Sequence, residues 1–183
     1  MIGLLMLGTT DANSGMYQYY KCWENQLEIE SREYTPILPR SILAPGENII
    51  SFDSYIEEVG YRKYPGYIFL NFKKIIKEVK ELCSNITKQN VTEIWILDSF
   101  VFSSLYVYLI SKFFLGKIRI TIHDPIPHEG SFKSKFSKII FQCNQRLLRV
   151  IAQKRTVYIH IHGKNLVRGS LWENISKIEY ITH

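Results

Sequence analysis

The residues best equipped for chemistry lie in "IRITIHDPIPHEG", residues 118–130. There a β-branched run ends in His123-Asp124 and continues through Pro125, Pro127, His128 and Glu129. Each proline fixes its own φ and pushes the preceding residue toward extended backbone, so the loop is stiff. A stiff loop presents its side chains to a substrate without first having to order them. Either histidine can serve as a general acid or base, or donate to a phosphate. The plainer alternative is a proline-rich turn whose histidines only cap neighbouring groups. His123, Asp124 and His128 could also hold a metal for hydrolysis, but a usable site needs three or four convergent ligands, and the prolines work against convergence. His160 and His162 share one strand face by the period of two, with no Cys or carboxylate at ligand spacing. No metal is therefore assigned.

Two other polar clusters follow apolar runs. "GTTDANSG" (8–15) closes "IGLLML" and opens a helix at Ser14-Gly15, a place where backbone N–H groups can face an anion. It is neither GxGxxG nor a P-loop, and a plain strand-to-helix turn fits it equally well. Asp98 closes "EIWIL" in the same manner.

These clusters need a frame, and the apolar pattern supplies one. Strand-like runs at 2–7, "YTPIL", "NIISF", "EIWIL", "KIRITIH", "TVYIHIH" and "KIEYITH" alternate with helical segments. The helices are expected at "GMYQYYKCWENQLE", 67–89, "FVFSSLYVYLISKFF", 132–154 and 163–173. Within 67–89, apolar residues at 68, 69, 72, 75, 76, 79 and 82 form a helical stripe. Strands alternating with helices predict an α/β fold, a Rossmann-like, doubly wound and mostly parallel sheet with helices on both faces. Ligands in such sheets sit beyond the carboxyl ends of the strands, where all the polar clusters fall.

Composition narrows the classes further. A chain of 183 residues with 46% apolar and 22% charged residues suits one globular domain rather than a disordered one. Cys22, Cys83 and Cys143 are too few and too scattered for a disulfide framework or a zinc pattern, and are expected to be buried thiols in a reducing compartment. "MIGLLMLGTT" has no basic residues before its apolar run and no cleavage site after it, so it reads as a first strand, not a signal peptide. The most apolar stretch, 94–110, is short for a bilayer span and is broken by Asp98. It predicts a buried strand followed by a buried helix. The expected location is cytoplasmic.

"TIHDPIPHEG" after a strand, preceded by "IWILDSF" and followed by a helix and "VYIHIHGKNL", resembles the N-terminal domain of family-4-like glycosyltransferases of the GT-B fold. The order of elements matches over nearly the whole chain, and the specific part is confined to 121–130. The resemblance implies an enzyme of two Rossmann-like domains, the first holding the acceptor and the second the nucleotide-sugar donor. It puts His123 near the donor sugar and its leaving phosphate, where a hydrogen bond stabilises developing charge. Asp124 would orient the loop or the acceptor, and His128 would shape the loop. Ser14, Gly15, Asp98, Glu129 and His162 complete the implied substrate-binding set, with Gly15 letting backbone approach a diphosphate. Ser14-Gly15 stands where the family has adjacent glycines.

Residues 1–183 are thus expected to be the acceptor-side half of a transferase that moves a sugar from a nucleotide sugar to a saccharide or lipid-linked acceptor in surface polysaccharide biosynthesis. The half alone is expected to be inactive, and a donor-binding C-terminal domain or second subunit completes it. No cofactor is implied beyond the nucleotide-sugar co-substrate. The alternatives are a non-catalytic binding module or partner subunit of a split transferase, and a metal-dependent hydrolase built on His123, Asp124 and His128.

One segment carries the charge. Residues 131–155 hold seven Lys/Arg and no Asp or Glu, so the net +6 of the chain resides there and the remainder is slightly acidic. Apolar positions 132, 136, 139, 140, 143, 147, 150 and 151 are expected to form the core-facing stripe. Lys133, Lys135, Lys138, Arg146 and Arg149 fall mostly off it, as a solvated face or as a surface for anionic lipid at the inner face of the cell membrane. No stacking platform accompanies them, so nucleic acid is not an expected partner.

Overall fold

A computed structural model describes residues 1–8, 13–42, 49–52, 55–98, 103–123, 126, 135–162, 168, 170–173, 175 and 177–181, with backbone alone for 55–69, 136, 137, 162 and 181. Eleven regular elements follow one another: β1 (Ile2–Met6), α1 (Gly15–Ile29), β2 (Tyr34–Pro39), β3 (Ile50–Phe52), α2 (Tyr55–Lys88), β4 (Glu93–Asp98), α3 (Ser103–Phe113), β5 (Lys117–Ile122), α4 (Lys135–Ala152), β6 (Val157–His162) and β7 (Ile178–Ile181). The strands form one sheet in the order β3-β2-β1-β4-β5-β6-β7, and every neighbouring pair is parallel. This is the expected doubly wound α/β class. The strand order reverses between β1 and β4, which makes their carboxyl ends the switch point where such sheets bind ligands.

Pro36 sits in a strand with neighbours on both sides and still costs no ladder bond. The Ile2 N–H donates to the Glu33 carbonyl, so the amides of Thr35 and Ile37 turn toward β1 and position 36 turns toward β3. Pairing with β3 starts only at Ile37, so the missing N–H has nothing to donate to.

The two sheet faces are unequal. One is covered by α2, α3 and α4, whose Ile75, Val79, Val107, Ile110, Leu148 and Ile151 pack on the isoleucines of β4, β5 and β6 in one continuous core. Each such aliphatic side chain contributes about 1.5–3 kcal/mol on full burial. On the other face α1 packs Tyr20 and Leu27 against Leu4 and Met6 of β1, Leu38 of β2 and Leu97 of β4. Beyond α1, over β5 to β7, the same face carries Lys117, Arg119, Thr121, Tyr158, His160 and Glu179. Ile118, Ile120, Ile122, Ile159 and Ile161 point the opposite way into the core. These strands alternate with period two because only one of their faces is apolar.

Several expectations change in detail. α2 begins at Tyr55 and runs through Pro65 and Gly66, well before the expected start. Its buried stripe is Ile75, Val79, Leu82, Cys83 and Ile86, while Phe72 is 44% exposed. The described residues of 163–173 are turn rather than helix, and within them Trp172 is fully buried with its indole N–H donating to Gln145 at 2.9 Å. Of the three free cysteines only Cys83 is buried, and Cys22 and Cys143 are exposed.

The buried face of α4 is also rotated from the expected one. It consists of Asn144, Gln145, Leu148, Ile151 and Ala152, while Ile139, Cys143 and Val150 lie outside. Two amide side chains explain the rotation. Asn144 accepts from the Ser104 backbone N–H at 3.2 Å, capping the start of α3, and Gln145 takes the Trp172 indole. Both are buried because each satisfies a donor that has lost water. No helix among the described residues is long and apolar enough to cross a membrane.

Candidate active site at the carboxyl edge of the sheet

Asp98 ends β4 at the switch point and is 4% exposed. Its carboxylate accepts from the backbone N–H groups of Leu7, at 2.5 Å, and Gly8, at 2.8 Å. These amides lie just beyond β1, where the ladder with β4 has already shifted register between Leu5 and Met6. Both carboxylate oxygens are thereby committed to backbone. Asp98, expected to bind substrate, anchors the start of the loop that leads to α1.

Ser14 caps α1. Its backbone is extended, and its Oγ accepts from the Tyr17 N–H at 3.1 Å. Gly15 opens the helix, and a Cβ built on it would meet nothing within 4 Å among the described residues. None of the described residues therefore requires glycine there. Space above a capped helix start, with no acidic residue in the first turn, is electrostatically suited to an anion. Gly15→Ala should consequently leave the fold intact or raise stability by up to about 1 kcal/mol. If a diphosphate lies against that backbone, the same change should weaken its binding at least tenfold. Isothermal titration beside a thermal melt separates the two effects. Equal affinity in the variant would remove the helix start from the site.

His123 follows β5 directly. One ring nitrogen, Nε2, lies 2.8 Å from the Leu97 carbonyl, and a carbonyl only accepts, so Nε2 carries the proton. The ring stands edge-on to Tyr19 of α1 with centroids 4.7 Å apart. Burial pushes the Tyr19 hydroxyl up to about 12, against hydrogen bonds with Trp23 and Thr121, so Tyr19 stays a neutral phenol. With Nε2 tied to the backbone, neutral His123 can only accept at Nδ1, as a base does. It donates from Nδ1 only as an imidazolium. His123, Asp98 and Ser14-Gly15 thus share one edge of the sheet, held by β5, β4 and α1. Asp124, His128, Glu129 and Lys133 lie outside the described residues, and so does the side chain of His162.

Neither Tyr19 nor Trp23 stands out in the sequence as a site residue. Their spacing of four puts both on one face of α1, which was the available signal. Trp23 meets Trp95 edge-on at 5.0 Å and stacks near His160 at 6.5 Å. Beside these rings Arg119 reaches Glu93 on β4, His160 on β6 and Glu179 on β7, joining four strands. The His160 Nε2 lies 2.8 Å from Glu179, and its Nδ1 is buried with no hydrogen-bond partner among the described residues. His160 therefore ties β5, β6 and β7 together. No group of three His, Cys, Asp or Glu among the described residues could hold a metal ion.

The network makes the far half of the sheet acid-sensitive. Burial, and next to it the Arg119 charge, holds His160 below its ordinary 6.5 despite the pull of Glu179. Burial alone would raise Glu179, but the hydrogen bond with His160 and the Arg119 charge hold it below the ordinary carboxylate value. Both groups take up protons more readily in the unfolded chain, so acid favours unfolding. Stability should be full above about pH 7 and decline as pH falls below 6.5. Urea midpoints between pH 5 and 8 should show this slope, and His160→Gln should flatten its upper part. A flat wild-type profile would contradict the assignment.

The sheet order and the clustering of polar groups at its carboxyl edge define a parallel α/β domain of Rossmann topology. No family model matches the chain, and searches of curated proteins and of solved structures returned no match.

Proposed function

We propose that the chain is the acceptor-side domain of a GT-B glycosyltransferase resembling family 4, acting in surface polysaccharide synthesis with a nucleotide sugar as co-substrate. The observation that carries this reading is the place of His123. It ends the strand next but one to β1, packs on α1, and has one nitrogen fixed by the Leu97 carbonyl. A histidine held in that way stands at the carboxyl edge of the sheet, where such folds bind their ligands. Neutral, it can take a proton from an acceptor hydroxyl. Protonated, it can donate to a leaving phosphate as charge builds there. The other half of the chemistry, donor binding, belongs to a second Rossmann-like domain or subunit.

The test is a titration followed on the His123 imidazole by nitrogen-15 NMR. Saccharide and lipid-linked saccharide acceptors are added to the 183-residue chain, and nucleotide sugars are added in parallel. Acceptors should shift the ring signals saturably, whereas nucleotide sugars alone should bind poorly. Tight binding of a nucleotide sugar to this chain by itself would overturn the acceptor-side assignment. Retention of stoichiometric zinc or manganese at this loop would favour the hydrolase in its place.

A further inference from the structure

α4 presents to solvent a face that its own fold does not use. At 100° per residue, Lys135, Lys138, Ile139, Gln142, Arg146, Arg149 and Val150 fall within roughly one third of the helix circumference. Lys135, Lys138 and Arg146 are exposed and Arg149 is half-buried. Ile139 is 55% exposed and Val150 59% exposed. The helix contains no carboxylate, and among the described residues none of the four cations forms an ion pair. Lys135 and Lys138 also stand in the opening turns, where the helix dipole disfavours positive charge. Their placement therefore does not serve the stability of α4. Lys154, just past the helix, shows the contrast, since its ammonium is committed to the end of α3 through Ser111 O at 3.2 Å and Ser111 Oγ at 2.8 Å.

We infer that this face docks α4 flat on an anionic membrane surface. Cations with no ion pair among the described residues select a negatively charged partner. The aliphatic side chains in the same stripe select a lipid over a nucleic acid, because Ile139 and Val150 can enter the acyl boundary but find nothing on a phosphate backbone. α4 is the next element after β5 and His123, the residue that carries the transferase reading. Where the transferase reading holds, this makes the acceptor lipid-linked.

The probe is sedimentation of the full 183-residue chain with vesicles of phosphatidylcholine alone, or of phosphatidylcholine with about a third phosphatidylglycerol. Each basic residue at an anionic surface contributes about fivefold in partitioning, so Lys135→Gln, Lys138→Gln and Arg146→Gln together should lower binding about a hundredfold. Ile139→Ser with Val150→Ser should weaken binding to the anionic vesicles at low salt as well. All five positions are exposed, and a thermal melt of each variant checks that the fold is kept. Binding to the anionic vesicles, lost with salt and absent on the neutral ones, is the expected result. No binding at low salt, equal binding to neutral vesicles, or binding to duplex DNA in preference to vesicles would each overturn the inference. None of these outcomes bears on the His123 titration, so this surface and the transferase reading fail separately.

Discussion

Asp98→Ala should lower the unfolding free energy by about 2–4 kcal/mol, the largest stability loss expected from any polar position described above. The carboxylate satisfies two backbone donors, Leu7 and Gly8, in a setting where the side chain is 4% exposed. Removing it leaves both N–H groups without an acceptor where water does not reach, at about 1–3 kcal/mol each before relaxation. For a chain of this size the melting temperature should fall by about 6–12 °C. Asp98→Asn keeps the volume and one acceptor oxygen, so it should lose roughly half as much. The measurement also separates two roles. An unchanged melt in Asp98→Ala would mean that the carboxylate is not needed by the fold and is available to a substrate.

His123→Ala should behave in the opposite way. Its ring is half-buried and donates to a strand-end carbonyl, so its removal should cost the fold no more than about 1–2 kcal/mol. In the enzyme completed by a donor-binding domain, sugar transfer should fall about 10²-fold or more, the usual magnitude when a preorganised group facing developing charge is removed. The loss should appear mainly in kcat, because the proposed role puts the histidine on the reacting groups rather than on the bulk of either substrate. The backbone acceptor at Leu97 adds a second check. Because it fixes the proton on Nε2, the nitrogen-15 spectrum of the neutral ring should show the Nε2–H tautomer. Unchanged turnover in His123→Ala would remove the loop from catalysis, and an Nδ1–H tautomer would contradict the geometry assigned to it.

The frame of the molecule was legible because its strands are short apolar runs with polar ends. β1 and β4 are apolar almost throughout and lie where both sheet faces are covered. The strands β5 and β6 read differently. In "KIRITIH" and "VYIHIH" every second residue is polar, and that alternation already says that one face of this half of the sheet is polar. Taken only as strand signals, they predict the sheet but not its polar side. On α4 periodicity alone was misleading, since Ile139, Cys143 and Val150 fit an apolar stripe while Asn144 and Gln145 do not. The two amides are inside because a helix start and an indole required acceptors, a need set by elements distant in the sequence.

The candidate site was legible to a similar depth. Strand-end position identified His123, Asp98 and Ser14-Gly15, and these meet at one edge. Their separate roles depend on contacts across 90 residues, such as Asp98 to Gly8, that no local pattern encodes. The same holds for Tyr19, whose relation to His123 exists only once α1 lies across the sheet.

Sugar transfer tests the central claim most directly. Radiolabelled nucleotide sugars would be offered with a lipid extract to the 183-residue chain alone. The same assay would then include the polypeptide encoded downstream of codon 183, in frame or in the adjacent gene. The account predicts no labelled lipid from the chain alone and label in the lipid fraction once a donor-binding partner is present, with most of it lost in His123→Ala. Robust transfer by the chain alone would contradict the account, as would an activity that only hydrolyses and depends on an added divalent metal.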